Sequence, residues 1–465
     1  MSAWLNPLSL TALAVTLVVL GIALQRPLRG IQLYAILGAT PLLQLGAFAG
    51  RTISQGLMMA ESLATVLFVV WVVRRSTRLT RRAMPFEAPW MAFVVVALAS
   101  QLAVMLLPDH RVETSAVAVA GAQLLLVLWP VGVYLATAEF VTRTTDLQWL
   151  QRAIIALATA QLLAPFTPPS WQPAMGWVWT FGIFASPFAL AGAFAARRMP
   201  LRLVLVGVAL LPFARGVQDG KAFLYMYVAA AVGTILWMRS SRLVAVAGAT
   251  VAAAALVAVV VAGDQALTEP VRALVAKEQR QMSYGGRSGR GQLALDALSI
   301  WQEAPLLGVG PANSYIYMLQ RSPIGTPHNQ YLNILVEFGA LGLAAWLAFL
   351  GITFRTGVRI YQQAVTPAHR TFVLGWLGMF AGMVVGGVTG DFMIHSIRNG
   401  GIELFSGYYL QWIMLGCLVA VDRLERGTRR QSPAPQSTSA PPTSSHDRQL
   451  APVARTAVAL ETGRS

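Results

Sequence analysis

Apolar runs close to 20 residues long recur along most of this chain. Each is near the length that crosses the hydrocarbon of a bilayer, and in hydrocarbon a chain must satisfy its own backbone hydrogen bonds. Helices are the economical solution, so the runs predict an all-α integral membrane protein with twelve or thirteen transmembrane helices. Composition agrees. Of 465 residues 56% are hydrophobic and 12% charged, with a mean hydropathy of +0.58, too little charge to cover a soluble protein of this size. The first run, Leu8 to Leu24, lacks a basic leader and ends at Gln25-Arg26-Pro27. It is expected to remain as a span, not to be cleaved as a signal peptide. Cys417 is the single cysteine, which excludes an intrachain disulfide and a thiolate metal cluster.

The formal charge of +16 does not imply nucleic acid, because the arginines fall in alternate short loops. Arg26 and Arg29, Arg74 to Arg82, Arg143 and Arg152, Arg197 to Arg202, Arg239 and Arg242, Arg355 to Arg370, and Arg423 to Arg430 form one set. The loops between them are poor in charge, including those at Arg51, His110, Pro165 to Gln172, Arg215 to Lys221, and Asp391 to Gly401. The bias of basic residues toward the cytoplasm places the first set inside and the second in the periplasm of a bacterial inner membrane. Residues 1–426 are expected to form the transmembrane domain. Residues 427–465, rich in Pro, Ser, Thr, Gln and Ala, are expected to form a disordered cytoplasmic tail.

One loop is long. Residues 263–330 separate two apolar runs and, by parity, face the periplasm; a connection of that length is expected to carry structure of its own. A first helix is predicted from about Pro270, with Val271, Leu274 and Val275 at apolar spacing. After the glycines of "YGGRSGRG", a second helix is predicted with Leu293, Ala297 and Trp301 on one face and Ser288 as its N-cap. Arg287 and Arg290 then sit where free backbone N–H groups, the positive end of the helix dipole and guanidinium forks converge, a site suited to phosphate. Solvation of the loop, or contact with lipid headgroups, is the alternative. Arg215 follows "LVLVGVALLPFA" at the mouth of a span on the same face, where snorkelling into the lipid interface is the simpler account.

The stretch "TPHNQYLNILVEFGALG", Thr326 to Gly342, enters the next span with His328 at its mouth. Asn329, Asn333 and Glu337 follow at i, i+4 and i+8, one polar stripe on one helix face. At about 1.5 Å per residue Glu337 lies roughly 13 Å below His328. An acid at that depth is expected to face partner helices, where its role is structural and fixes the helix that carries His328. For His328 itself the alternative is a polar residue closing a loop at the membrane surface. "GVGPAN", Gly308 to Asn313, lacks the third glycine of a dinucleotide fingerprint and is expected to be a turn.

The run "RSGRGQLALDALSIWQEAPLLGVGPANSYIYML", together with "TPHNQYLNILVEFGALGL", resembles the signature region of the O-antigen ligase and polymerase family. "FARG", Phe213 to Gly216, resembles that family's arginine at a span end. The resemblance covers about residues 200–345. It implies glycan transfer at the periplasmic face from an undecaprenyl diphosphate carrier to a lipid A-core sugar in lipopolysaccharide biosynthesis, with no metal and no cofactor. Arg215 and Arg290 would bind the diphosphate and stabilise the charge that develops on it, with Arg287 able to substitute for Arg290. His328 would take or orient the proton of the acceptor hydroxyl, in one displacement with inversion. Asn329 and Asp391, on the same face, complete the candidate substrate-binding set with Arg287. The acids of the long loop, Asp264, Glu269, Glu278, Asp296 and Glu303, show no spacing that suits a metal.

Three other readings are carried: an O-antigen polymerase, a protein O-oligosaccharyltransferase, and, from a different class, a transporter of lipid-linked glycan. Transporters tend to carry charges throughout the bundle and broken helices in repeated halves. Here the polar groups gather at one face. Topology is testable directly. Cysteines placed at Ser283 and Ser432 should differ in labelling by an impermeant thiol reagent in spheroplasts, and equal labelling would sink the assignment of sides.

Overall fold

The computed structural model describes residues 7–37, 44–47, 56–75, 83–106, 116–163, 179–219, 222–240, 290–322, 324–390, 393–394 and 405–431. These are almost wholly helical. In chain order they form α1 (Pro7–Gln25), α2 (Pro27–Leu37), α3 (Met59–Arg75), α4 (Glu87–Leu106), α5 (Ala116–Phe140), α6 (Thr144–Leu163), α7 (Trp179–Ala195), α8 (Met199–Asp219) and α9 (Ala222–Arg239). After a gap in the described residues come α10 (Arg290–Trp301), α11 (Ser314–Leu319), α12 (Gln330–Gln363), α13 (Pro367–Gly386) and α14 (Phe405–Gln431). A short antiparallel ladder, β1 (Gln44–Ala47) and β2 (Gly56–Met58), adds a feature that the apolar runs did not announce.

Four helical segments have the length and apolar composition to cross a membrane: Glu87–Leu106, Val119–Phe140, Gln330–Gln363 and Pro367–Gly386. Five shorter apolar helices join them, in α1, α3, α7, α8 and α9. Twelve or thirteen crossings are therefore not reached among the described residues; the apolar run at 241–262 and the predicted helix from Pro270 lie outside them. The chain divides into a unit of residues 1–425 and a unit of residues 426–465, and within the second only 426–431, the end of α14, are described.

The helices are apolar on both sides, as a bilayer requires. On α4, Trp90, Phe93, Val94 and Ala97 are buried, while Met91, Val95, Leu98 and Leu102 point outward with about half their surface exposed. A water-facing helix would place charge on that outer face. The inner faces meet in an aromatic core, where the Trp90 ring stands 4.9 Å from Trp412 and 5.1 Å from Phe349, and Phe93 lies 5.2 Å from Phe338. These rings join α4, α12 and α14.

The far end of α12 is held by a buried polar cluster. Glu425 accepts the backbone N–H of Val365 (2.8 Å) and Thr366 (3.0 Å), and its Oε1 lies 2.7 Å from Nδ1 of His369. Nε2 of His369 is 2.9 Å from the Thr144 hydroxyl, which opens α6. One carboxylate thus fastens the α12–α13 turn, and through His369 the start of α6. Glu425→Ala should strand these buried donors and destabilise the protein by about 3–5 kcal/mol. The measurement is thermal unfolding in detergent, and an unchanged midpoint would contradict this account.

Candidate functional site

The segment between α10 and α12 folds around a small core of its own. Leu293, Ala297 and Ile300 of α10 pack with Val309, Tyr317 and Met318, and with Val336 of α12. Leu293 and Ala297 are buried as their spacing predicts; Trp301 is half-buried and donates its indole N–H to Pro305 O at 2.9 Å. Arg321 pairs with Glu303 and the Ser299 hydroxyl, tying the end of α10 to the chain after α11. The core makes α10 a rigid support, and Arg290 is its first residue, half-buried.

Helix α12 contributes Val336 to this core. Asn329 is its N-cap: Oδ1 accepts the N–H groups of Tyr331 (2.9 Å) and Leu332 (3.1 Å). Gln330 pins the same end, its N–H donating to Gly387 O (2.9 Å) and its Oε1 accepting from Met393 N (2.9 Å). His328 immediately precedes the cap with φ 49, and its N–H donates to the Thr326 hydroxyl at 3.2 Å. A left-handed conformation at a non-glycine residue costs energy and persists where the surroundings determine it. Here the Thr326 bond and the Asn329 cap fix the backbone on both sides of the histidine.

Two of the expected site residues lie within electrostatic reach of each other. His328 is exposed at its outer edge, yet neighbouring protein displaces enough water to lower its pKa from the ordinary value of 6.5, and the Arg290 charge lowers it further. The two residues are 38 positions apart in sequence and come within electrostatic reach as α10 and α12 pack into one core. Asn329 follows His328 directly, and its amide oxygen is committed to the helix cap. The backbone of Arg215 lies within α8, four residues before its end, and its side chain lies outside the described residues. Arg287 and Asp391 also lie outside them.

Glu337 is buried, 3% exposed, and its Oε1 accepts from the Ser314 hydroxyl at 2.6 Å. The contact joins α11 to α12 and suits the structural role expected from the stripe. What sequence reasoning missed is the break beside it. At Gly339 (φ 67, ψ −169) α12 leaves helical geometry. In an unbroken helix Ala340 and Leu341 would donate to Val336 and Glu337. Instead Ala340 N donates to Pro305 O (2.9 Å) and Leu341 N to Leu306 O (3.3 Å), while Val336 O accepts from Val309 N (2.8 Å) and Glu337 O from Gly310 N (3.1 Å). The "PLLGVG" loop occupies the break and satisfies all four groups. Glycines are required on both sides of the contact: a Cβ on Gly339 would lie 2.2 Å from Leu306 O, and one on Gly308 2.4 Å from the Glu337 carbonyl carbon. The signal was present as the pair "PLLGVG" and "EFGALG", but nothing in the sequence says that the two meet. As expected, "GVGPAN" is a turn, with positive φ at Gly308, Gly310 and Ala312.

Gly339→Ala combines that clash with a conformation open essentially to glycine alone, at a cost of at least about 1–3 kcal/mol. It should lower thermal stability and loosen α10 against α12, seen as faster proteolysis after Arg290. Gly351→Ala, where the added carbon meets open space in the same helix, should do neither. Equal behaviour of the two variants would show that the break carries no weight.

Comparison with known proteins agrees with the region that the motifs singled out. No curated protein matches the chain. A family model described as O-antigen ligase matches residues 219–347. The matched stretch begins four residues after Arg215 and includes Arg290, the loop that fills the break, His328 and the first half of α12. Across residues 219–347, then, the chain is similar to the O-antigen ligase family.

Proposed function

We propose that the protein is an O-antigen ligase, transferring O-antigen polysaccharide from undecaprenyl diphosphate to a sugar of lipid A-core at the periplasmic face of the bacterial inner membrane. The observation that supports this reading is that Arg290, at the start of a helix anchored in one small core, lies within electrostatic reach of His328 inside the matched stretch. In the proposed reaction the acceptor hydroxyl oxygen attacks the anomeric carbon of the donor sugar from the face opposite the carrier. The new C–O bond forms as the bond to the diphosphate oxygen breaks, and the electron pair of that bond leaves on the diphosphate. Configuration at the anomeric carbon inverts. The hydroxyl proton passes to the imidazole of His328.

The chemistry of the pair suits this division. Arg290 at the start of α10 offers a cation, at the positive end of the helix dipole, to a leaving group that gains negative charge. Its charge also keeps His328 neutral to lower pH, so the base remains able to accept a proton. Arg215, Arg287 and Asp391 are proposed to complete the contacts to the donor, and Asn329 to help hold the acceptor while its oxygen caps α12.

Loss of this gene should leave lipid A-core without O-chain while carrier-linked polymer accumulates; core bearing a single repeat unit would instead indicate a polymerase. Within the site, Arg290→Ala should abolish transfer at least 100-fold with the protein still folded, and Arg290→Lys should recover little, because a point charge does not reproduce a bidentate fork. His328→Ala should lose transfer yet retain the lipid-linked donor. The wild-type rate should fall as pH drops through a value below 6.5, since imidazolium cannot accept the proton. A rate independent of pH across that range, or full activity in His328→Gln, would remove the base from the mechanism.

A further inference from the structure

Outside the candidate site, α1 and α2 meet in an elbow at Arg26. Helix α1 ends at Gln25 and α2 starts at Pro27. The carbonyl ends of α1 are already satisfied, for Arg74 of α3 donates to Leu24 O and to Gln25 O. Arg26 and Arg29, by contrast, have no side-chain acceptor among the described residues. They flank a cavity of about 450 Å³ that Gln25, Gln32 and Trp149 also line. Two unpaired guanidinium groups and two amides give it many donors, and no carboxylate lines it. Leu33 and Ile36 supply an apolar edge, and Ile36 faces outward with 37% of its surface exposed.

The position of the cavity follows from contacts already described. α12 runs away from His328 to the Val365–Thr366 turn, which Glu425 and His369 join to Thr144. Trp149 lies five residues along α6 from Thr144. The cavity therefore belongs to the end of the bundle opposite His328.

We infer that this elbow is a binding site for the headgroup of an anionic phospholipid, in the leaflet opposite the transfer site. The inference rests on the reading of the chain as a membrane protein and is independent of the transfer reaction. The phosphodiester would take the forks of Arg26 and Arg29, which suit two oxygens each. Gln25 and Gln32 would donate to the remaining headgroup oxygens. Trp149 would sit at the depth where indole is apolar on its face and polar at its N–H. Leu33 and Ile36 would carry the first methylenes of the acyl chain toward the outer surface. The volume lies within the range of small-molecule sites, and a free phosphate would leave the apolar edge unused.

The test is native mass spectrometry of the full chain in detergent, titrated with phosphatidylglycerol or phosphatidylcholine. Wild type should retain one phosphatidylglycerol that Arg26→Gln/Arg29→Gln binds at least fivefold more weakly, with little retention of phosphatidylcholine. Arg197→Gln/Arg198→Gln removes the same charge from an exposed loop and should bind as wild type. Retention unchanged in the Arg26→Gln/Arg29→Gln variant would overturn the proposal. So would an equal loss in the Arg197→Gln/Arg198→Gln variant, which would make the effect one of net charge. Displacement of the lipid by millimolar inorganic phosphate would overturn it in favour of a free-anion site. Because the readout is binding, failure of the transfer reaction leaves it unaffected; extraction of the chain without detergent would remove the membrane reading and this site with it.

Discussion

The exchange of backbone hydrogen bonds at the break in α12 is the constraint on which the domain depends. A helix that crosses a bilayer cannot open two of its bonds to lipid, since each orphaned group costs several kcal/mol there. The groups opened at Gly339 are instead taken by Pro305, Leu306, Val309 and Gly310. That contact does two things at once. It lets an irregular loop lie against a membrane helix without unsatisfied polar groups. It also joins the loop that follows α10 to the helix that follows His328, so the two cannot slide independently.

The polar stripe on α12 acquires its meaning from the same contact. Ser100 of α4 donates to Glu337 O at 2.9 Å, and Ser314 of α11 donates to the Glu337 carboxylate. Glu337 therefore ties α4, α11 and the inserted loop to one turn of α12. Higher up, Asn329 caps the helix and Asn333 reaches Thr326 at 3.5 Å. Each member of the stripe fixes some part of the framework around His328. That is how a strained backbone at φ 49 is held in place within electrostatic reach of Arg290.

The two ends of α12 are built on different chemistry. At the His328 end the fixing bonds come from amides and hydroxyls. At the far end one buried carboxylate collects two backbone donors and a histidine. The break sits nearer the first end, so the long segment beyond it packs as ordinary apolar helix against the aromatic rings of α4 and α14. This arrangement confines irregular backbone to the region that carries the candidate chemistry.

Much of this was legible in the chain itself. Apolar runs near bilayer length dictate helices, because only local periodicity and the cost of unpaired backbone are involved. The spacing of Leu293 and Ala297, and of Asn333 and Glu337, likewise gave the buried faces of α10 and α12, since a helix repeats every 3.6 residues. The motifs around Arg290 and His328 pointed to the family that residues 219–347 match. Other features depend on partners distant in sequence. Asn329 appeared as a ligand residue and serves as a helix cap, and Glu425 gave no sign that it would collect Val365, Thr366 and His369. Gly339 looked like one more glycine in an apolar helix. Its need for positive φ arises only when Leu306 is pressed against it, which no local pattern records. The sequence by itself determined that the chain is dominated by apolar helices and which residues of α10 and α12 turn inward. Tertiary structure alone decided where the helix breaks and what fills the gap, because those outcomes depend on backbone groups that carry no side-chain signature.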